Sequence, residues 1–103
     1  RTGIEGVALQ GPISPVQRPG APNAAPLPFA VITVQPGAGG AEIARAIADE
    51  RGRFRIPLRR GKYRVVPLPP DPSARFPLGT PQQVAVRGGR FTRIVAEYDT
   101  GIR

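Results

Sequence analysis

Six cations fall between positions 53 and 64: Arg53, Arg55, Arg59, Arg60, Lys62 and Arg64. Guanidinium and ammonium groups attract sulfate, phosphate and carboxylate through charge and hydrogen bonds. In a strand, successive side chains point to opposite faces. Arg53 and Arg55 therefore part from Phe54 and Ile56, and Lys62 and Arg64 part from Tyr63 and Val65. If both runs share one sheet, their cations project from one side, with Arg59 and Arg60 at the turn between them. The six form the candidate anion- or partner-binding site. Binding of single-stranded nucleic acid calls for exposed aromatic faces among the cations. Phe54 and Tyr63 alternate to the apolar side, which argues against nucleic acid and leaves attraction for phosphate or sulfate. The competing account is a solvated face. Fifteen basic residues, all arginine but Lys62, stand against seven acids for a net charge of +8. Near-total use of Arg over Lys, with abundant Ala, Gly and Pro, also fits GC-rich coding bias.

Other chemistry has little to draw on. The chain has no histidine and no cysteine, so the usual general base and the thiol nucleophile are missing. Ser14 and Ser73 could be activated only by Lys62, and nothing in the sequence pairs them. Asp49 and Glu50 are the one adjacent carboxylate pair, and Asp49 is better read as a turn residue. Hard cations need several oxygen ligands from one locality, and the acids are scattered. Pro36–Gly40 is glycine-rich, but no Gly-Lys-Ser/Thr follows as a phosphate-binding loop requires. We therefore expect no enzyme, no metal and no cofactor.

The elements that must position the cations read as short strands. A chain of 103 residues is expected to form one domain, 1–103. The first strand spans Gly3–Gln10, with an irregularity at Gly6, and Gly11-Pro12 stops it. Residues 11–28 form a Pro-rich loop suited to lying across a sheet edge. Phe29–Gln35 is β-branched on both faces and reads as a central strand. Ala41–Glu50 is ambiguous: its composition favours a helix, its place between strands favours a strand, and Ile43 and Ile47 share one face either way. Asp49-Glu50-Arg51-Gly52 is a turn, with Asp accepting backbone N–H bonds and Gly taking positive φ. The stretch Asp49–Val66 then reads as a β-hairpin about Arg59-Arg60-Gly61. Tight closure would set Arg55 opposite Arg64 and Ile56 opposite Tyr63. Residues 67–81 form a second Pro-rich loop, anchored by Phe76 and Leu78. Val84 and Val86 point inward from the next strand, Gly88-Gly89 turns the chain, and Ile94 and Ala96 point inward from the last strand. Seven short strands with Gly and Pro turns indicate an all-β, seven-stranded antiparallel β-sandwich.

The centre of the chain carries a family pattern. Asp49-x-x-Gly52-x-Phe54, followed by Leu58-x-x-Gly61-x-Tyr63-x-Val65, resembles the signature of carboxypeptidase regulatory-like domains. These group with the Cna-B-like and transthyretin-like, or prealbumin-like, sandwiches. The resemblance implies a strand before Asp49, and we read 41–50 as one on that ground. Arg60 departs from the family pattern, where proline precedes the turn glycine. Some Cna-B-like domains form an internal isopeptide from a lysine on an early strand; the only lysine here is Lys62, beside the central turn. Gly11–Val16 and Tyr98–Arg103 are also similar to small exported bacterial domains that often carry cysteines where Ser14 and Asn23 stand. That resemblance implies a lost staple and a more mobile first loop.

Both resemblances imply a non-catalytic extracytoplasmic module, either accessory or structural, with a protein or cell-envelope partner. The alternative is a basic polyanion- or nucleic-acid-binding β-barrel that uses the Arg-rich hairpin face. An arginine at position 1 and the absence of methionine lead us to expect a processed form or a fragment, with any export signal or lipid anchor upstream. The longest apolar run, Pro28–Val34, is far short of the ~20 residues of a membrane-spanning helix.

Overall fold

In a computed structural model of the chain, residues 1–16 and 18–103 are described; Gln17, inside the first Pro-rich loop, lies outside them. The described residues contain no helix, and so none long and apolar enough to cross a membrane. The described residues form nine strands: β1 Gly3–Gly11, β2 Ala25–Pro26, β3 Val31–Pro36, β4 Ala44–Ile47, β5 Arg53–Pro57, β6 Gly61–Leu68, β7 Leu78–Gly79, β8 Gln82–Val86 and β9 Phe91–Asp99. They form two sheets, giving an all-β, sandwich-like architecture. Nine strands replace the seven expected because both Pro-rich loops contribute a two-residue pairing, β2 and β7.

The first sheet is built around β1. β9 pairs along its whole length in parallel, so the sandwich is not wholly antiparallel as expected. On the other edge of β1, β5 pairs with Gly3–Val7 and β2 with Leu9 and Gln10. The first Pro-rich loop thus returns to cover the part of the β1 edge that β5 leaves open, which removes an unpaired edge. β7 does the same for the end of β9. The second sheet runs β4-β3-β6-β8, all antiparallel.

One expectation fails in a way that matters for the site. Asp49–Val66 is not a hairpin. β5 belongs to the first sheet and β6 to the second, and the Leu58–Arg60 connection crosses the sandwich between them. Arg55 lies opposite Glu5 and Ile56 opposite Ile4, while Arg64 lies opposite Gln35 and Gln83 and Tyr63 opposite Pro36 and Val84. Alternation of side chains is the same for a hairpin and for an arch between sheets, so the pattern alone selects neither.

The core lies between the sheets. Ile4 and Ala8 from β1, Ile32 and Val34 from β3, Phe54 and Ile56 from β5, Val65 from β6, Val84 and Val86 from β8, and Ile94, Ala96 and Tyr98 from β9 are buried there. Tyr63 packs against this cluster, half-buried. The inward residues expected from alternation are therefore correct on every strand of the central stretch and beyond. Burial pushes the Tyr98 phenol pKa up, and its hydroxyl donates to the Leu68 carbonyl at 2.8 Å.

Within the ambiguous segment 41–50 a short strand forms, Ala44–Ile47, rather than a helix or a strand over the whole segment, and Ile43 and Ile47 are both exposed. Ala44, Ala46 and Ala48 turn inward. Small side chains let this edge strand close toward β5, and the larger isoleucines remain outside. Phe76 and Leu78 are also exposed rather than anchors of the second loop. Pro67 is buried in that role, and Phe76 instead lies beside Gly101 of the tail. Phe29 precedes the third strand at φ 60 and is exposed, so that strand begins only at Val31.

Ser14 and Asn23, the two positions named above for an expected staple, do lie together. The Asn23 side-chain oxygen accepts from the Ile13 and Ser14 amides, both at 3.0 Å, and the Asn23 carbonyl accepts from Ile13 at 3.1 Å. A carboxamide clamp thus stands where the staple would be. The Ser14→Cys/Asn23→Cys double variant is expected to oxidise to an internal disulfide and to gain roughly 2–4 kcal/mol over its reduced form. Thermal melts with and without reductant check this, and equal midpoints would contradict it.

Candidate functional site

The six cations singled out in the sequence do not form one face. Arg53 and Arg55 project from the outer face of the first sheet, and Lys62 and Arg64 from the outer face of the second, on the far side of the core. Arg59 and Arg60 sit on the connection between the sheets, both exposed.

On the first sheet the arginines are already engaged. Arg55 donates to the Glu5 carboxylate at 3.1 Å and 2.7 Å, and its guanidinium lies 4.3 Å from the centre of the Phe91 ring. Arg93 reaches the same carboxylate at 3.7 Å. The row Arg55–Glu5–Arg93 follows from the strand register, since Glu5 is opposite both arginines. Arg53 is held 3.6 Å from Asp49. These pairs offset the charge that made the stretch look like an open anion site. The acidic partner of Arg55 sits fifty residues away on β1, where the local pattern of 49–66 gives no sign of it.

Asp49 shapes the entry to β5. Its carboxylate accepts from the Arg51 amide at 2.8 Å and the Arg53 amide at 2.9 Å, while the Gly52 amide donates to its carbonyl at 3.0 Å. Gly52 has φ 76, and a β-carbon there would lie 2.8 Å from the Ala8 carbonyl oxygen, so both the turn and the close approach require glycine. The expected Asp-x-x-Gly turn is present in detail. The Arg53 amide, followed by the Arg51 amide, holds the Asp49 carboxyl below the usual aspartate range.

A carboxyl whose folded-state pKa is lowered contributes stability at higher pH and loses it as pH falls through the folded value. Asp49→Asn should therefore be less stable than wild type at neutral pH, with the gap closing as pH falls below the ordinary aspartate range. Chemical unfolding between pH 7 and pH 2 checks this, and a gap that stays constant down to pH 2 would contradict it.

Four further cations without a described carboxylate partner, Arg59, Arg60, Arg87 and Arg90, sit on loops at one end of the sandwich. β1, β6 and β9 begin there, and β5 and β8 end there. Thr2 ties its loops together: its carbonyl accepts from the Leu58 amide at 2.9 Å, and its hydroxyl accepts from the Gly89 amide at 2.9 Å. The β5–β6 connection bearing Arg59 and Arg60 is thereby fixed beside the β8–β9 turn bearing Arg87 and Arg90. Val86 is opposite Gly61, so Arg87 follows on beside Arg60. The Tyr63 hydroxyl donates to the Arg59 carbonyl at 2.6 Å, which braces the connection from within. Among the described residues, no carboxylate pairs with Arg59, Arg60, Arg87 or Arg90. A shallow surface depression lies here, lined by Arg1, Thr2, Pro57, Leu58, Arg59, Arg60 and Gly88. Arg87 and Arg90 escaped sequence reasoning because they flank a different turn; their Arg-Gly-Gly-Arg spacing was the available signal.

No family model matches this sequence, and no curated protein does either. Among solved structures, the TIE protein of Bacillus anthracis has a similar fold: 17% identity, TM-score 0.57, over 94% of this chain and 18% of that one. The chain thus spans less than a fifth of that protein's length. At this identity the likeness is one of fold, and it agrees with the two-sheet architecture described above.

Among the described residues, no cluster of three or more acidic, histidine or cysteine side chains is placed to hold a metal ion. Glu42 pairs with Arg45, Asp99 with Arg103, and Asp71 with the Ser73 amide and hydroxyl. With Glu5 and Asp49 engaged as above, the acids are occupied in local structure, except Glu50 and Glu97.

Proposed function

We propose that this chain is a non-catalytic β-sandwich module of the carboxypeptidase regulatory-like, prealbumin-like type. It works outside the cytoplasm as an accessory or structural unit that contacts a protein or envelope partner. The single observation that carries the reading is the use of the carboxylates. Glu5, Glu42, Asp49, Asp71 and Asp99 each hold a strand, turn or tail in place. Carboxylates engaged in this way support a structural rather than a chemical use of these groups. The Asp49 turn, with Gly52 at positive φ, supports the family type. That a similar fold forms one section of a much longer chain supports the role of module.

The absence of native cysteine allows a direct test of where the module works. An Arg75→Cys variant carries one exposed thiol in this chain. In its host cell it should react with a maleimide that passes an outer membrane but not the cytoplasmic membrane. Labelling only after the cells are lysed would overturn the extracytoplasmic reading.

A further inference from the structure

We propose that the end of the sandwich bearing Arg59, Arg60, Arg87 and Arg90 is a binding site for an anionic glycan, a polysaccharide carrying sulfate or phosphate groups. The inference goes beyond the module reading and does not depend on where the module resides.

Charge comes first. Four guanidinium groups are exposed on two loops that Thr2 holds side by side, and no described carboxylate pairs with them. Neighbouring acids are occupied. Glu5 is shared by Arg55 and Arg93, and Glu42 pairs with Arg45 near β4, with β3 and β6 standing between β4 and β8. Like charges held together repel, and a bound polyanion relieves that repulsion while releasing its own counterions.

Surface chemistry narrows the ligand. Pro57 and Leu58 give the shallow depression aliphatic surface, and Arg59 and Arg60 border it. Sugar rings have C–H faces that can rest on such a surface, with anionic substituents reaching the rim. Nucleic acid would need an open aromatic ring for base stacking. The two rings near this end are committed: Phe91 lies under Arg55, and Tyr63 packs on the core with its hydroxyl bound to Arg59. Arg, with its planar fork of donors, matches sulfate and phosphate oxygens better than Lys.

The test uses heparin, inorganic polyphosphate and a single-stranded DNA oligonucleotide as probes. The variants are Arg59→Gln/Arg60→Gln and Arg87→Gln/Arg90→Gln. The control, Arg51→Gln/Arg75→Gln, removes the same charge from loops at the opposite end. All three variants are checked for unchanged thermal unfolding. Each double variant at the proposed site should bind heparin at least tenfold more weakly at fixed salt, with a shallower salt dependence, while the control loses less than threefold. Equal losses in control and site variants would overturn the site, because net charge alone would then account for binding. Polyphosphate or DNA bound as tightly as heparin by the wild type at the same salt would overturn the glycan assignment.

Discussion

Truncating Ile32 to alanine is expected to lower the stability of the folded chain by about 2–5 kcal/mol. Ile32 is fully buried near the start of β3, which has β4 on one side and β6 on the other. Its ladder partners are Ala46 and Pro67. Alanine opposite leaves no long side chain to fill the gap, and proline on the other side cannot extend into it, so the cavity should collapse little. A domain of this size has a total stability on the order of 5–15 kcal/mol. The loss would be a large part of it and would shift the thermal midpoint by about 8 °C or more, at roughly 4–8 °C per kcal/mol. Urea unfolding of wild type and variant measures it. A loss below about 1 kcal/mol would mean that β3 is not central to the core.

Gly6→Ala should be at least as damaging, and its sign is informative. By intrinsic preference alone, replacing a strand glycine with alanine stabilises by roughly 0.5–1 kcal/mol. Here β1 and β9 run so close that a β-carbon on Gly6 would lie 1.8 Å from the Ile94 carbonyl oxygen and 2.8 Å from its carbonyl carbon. Both atoms are backbone, held in the parallel ladder that pairs Gly6 with Ile94. No rotamer change relieves the contact, so the strands must separate. We expect a loss beyond the ~1–3 kcal/mol of ordinary overpacking, and failure to fold in the extreme. Circular dichroism and chemical unfolding measure it. A variant as stable as wild type, or more so, would contradict the β1–β9 pairing.

Gly6 also shows how far the sequence could be read. An irregular first strand was expected there, yet β1 runs unbroken from Gly3 to Gly11, and the glycine answers to a neighbour eighty-eight residues away. The same division holds throughout. Period-two alternation identified Phe54, Ile56, Val65, Val84, Val86, Ile94 and Ala96 as inward, because that pattern depends only on local strand geometry. The Asp49–Gly52 turn was legible for the same reason: its hydrogen bonds span four residues. What alternation cannot carry is which strand pairs with which. A run of two strands around Arg59-Arg60-Gly61 reads as a hairpin whether the chain folds back within one sheet or crosses to the other. In this chain it crosses.

That crossing decides the candidate site. A hairpin would have gathered Arg53, Arg55, Lys62 and Arg64 on one face. The arch places them on opposite faces and gives Arg55 to Glu5. Only Arg59 and Arg60, at the crossing itself, keep their place in the site, and they gain Arg87 and Arg90 from the β8–β9 turn. At edge strand β4 the two isoleucines, Ile43 just before it and Ile47 at its end, are exposed, and the inward positions belong to the alanines.

The arch is therefore the claim on which the rest depends, and cross-strand nuclear Overhauser effects in the isotope-labelled chain test it most directly. The structure predicts contacts between the backbone protons of Arg55 and Glu5 and of Ile56 and Ile4, and none between β5 and β6. Contacts joining Arg55 to Arg64 and Ile56 to Tyr63 would show a hairpin, and would contradict both the fold and the site built upon it.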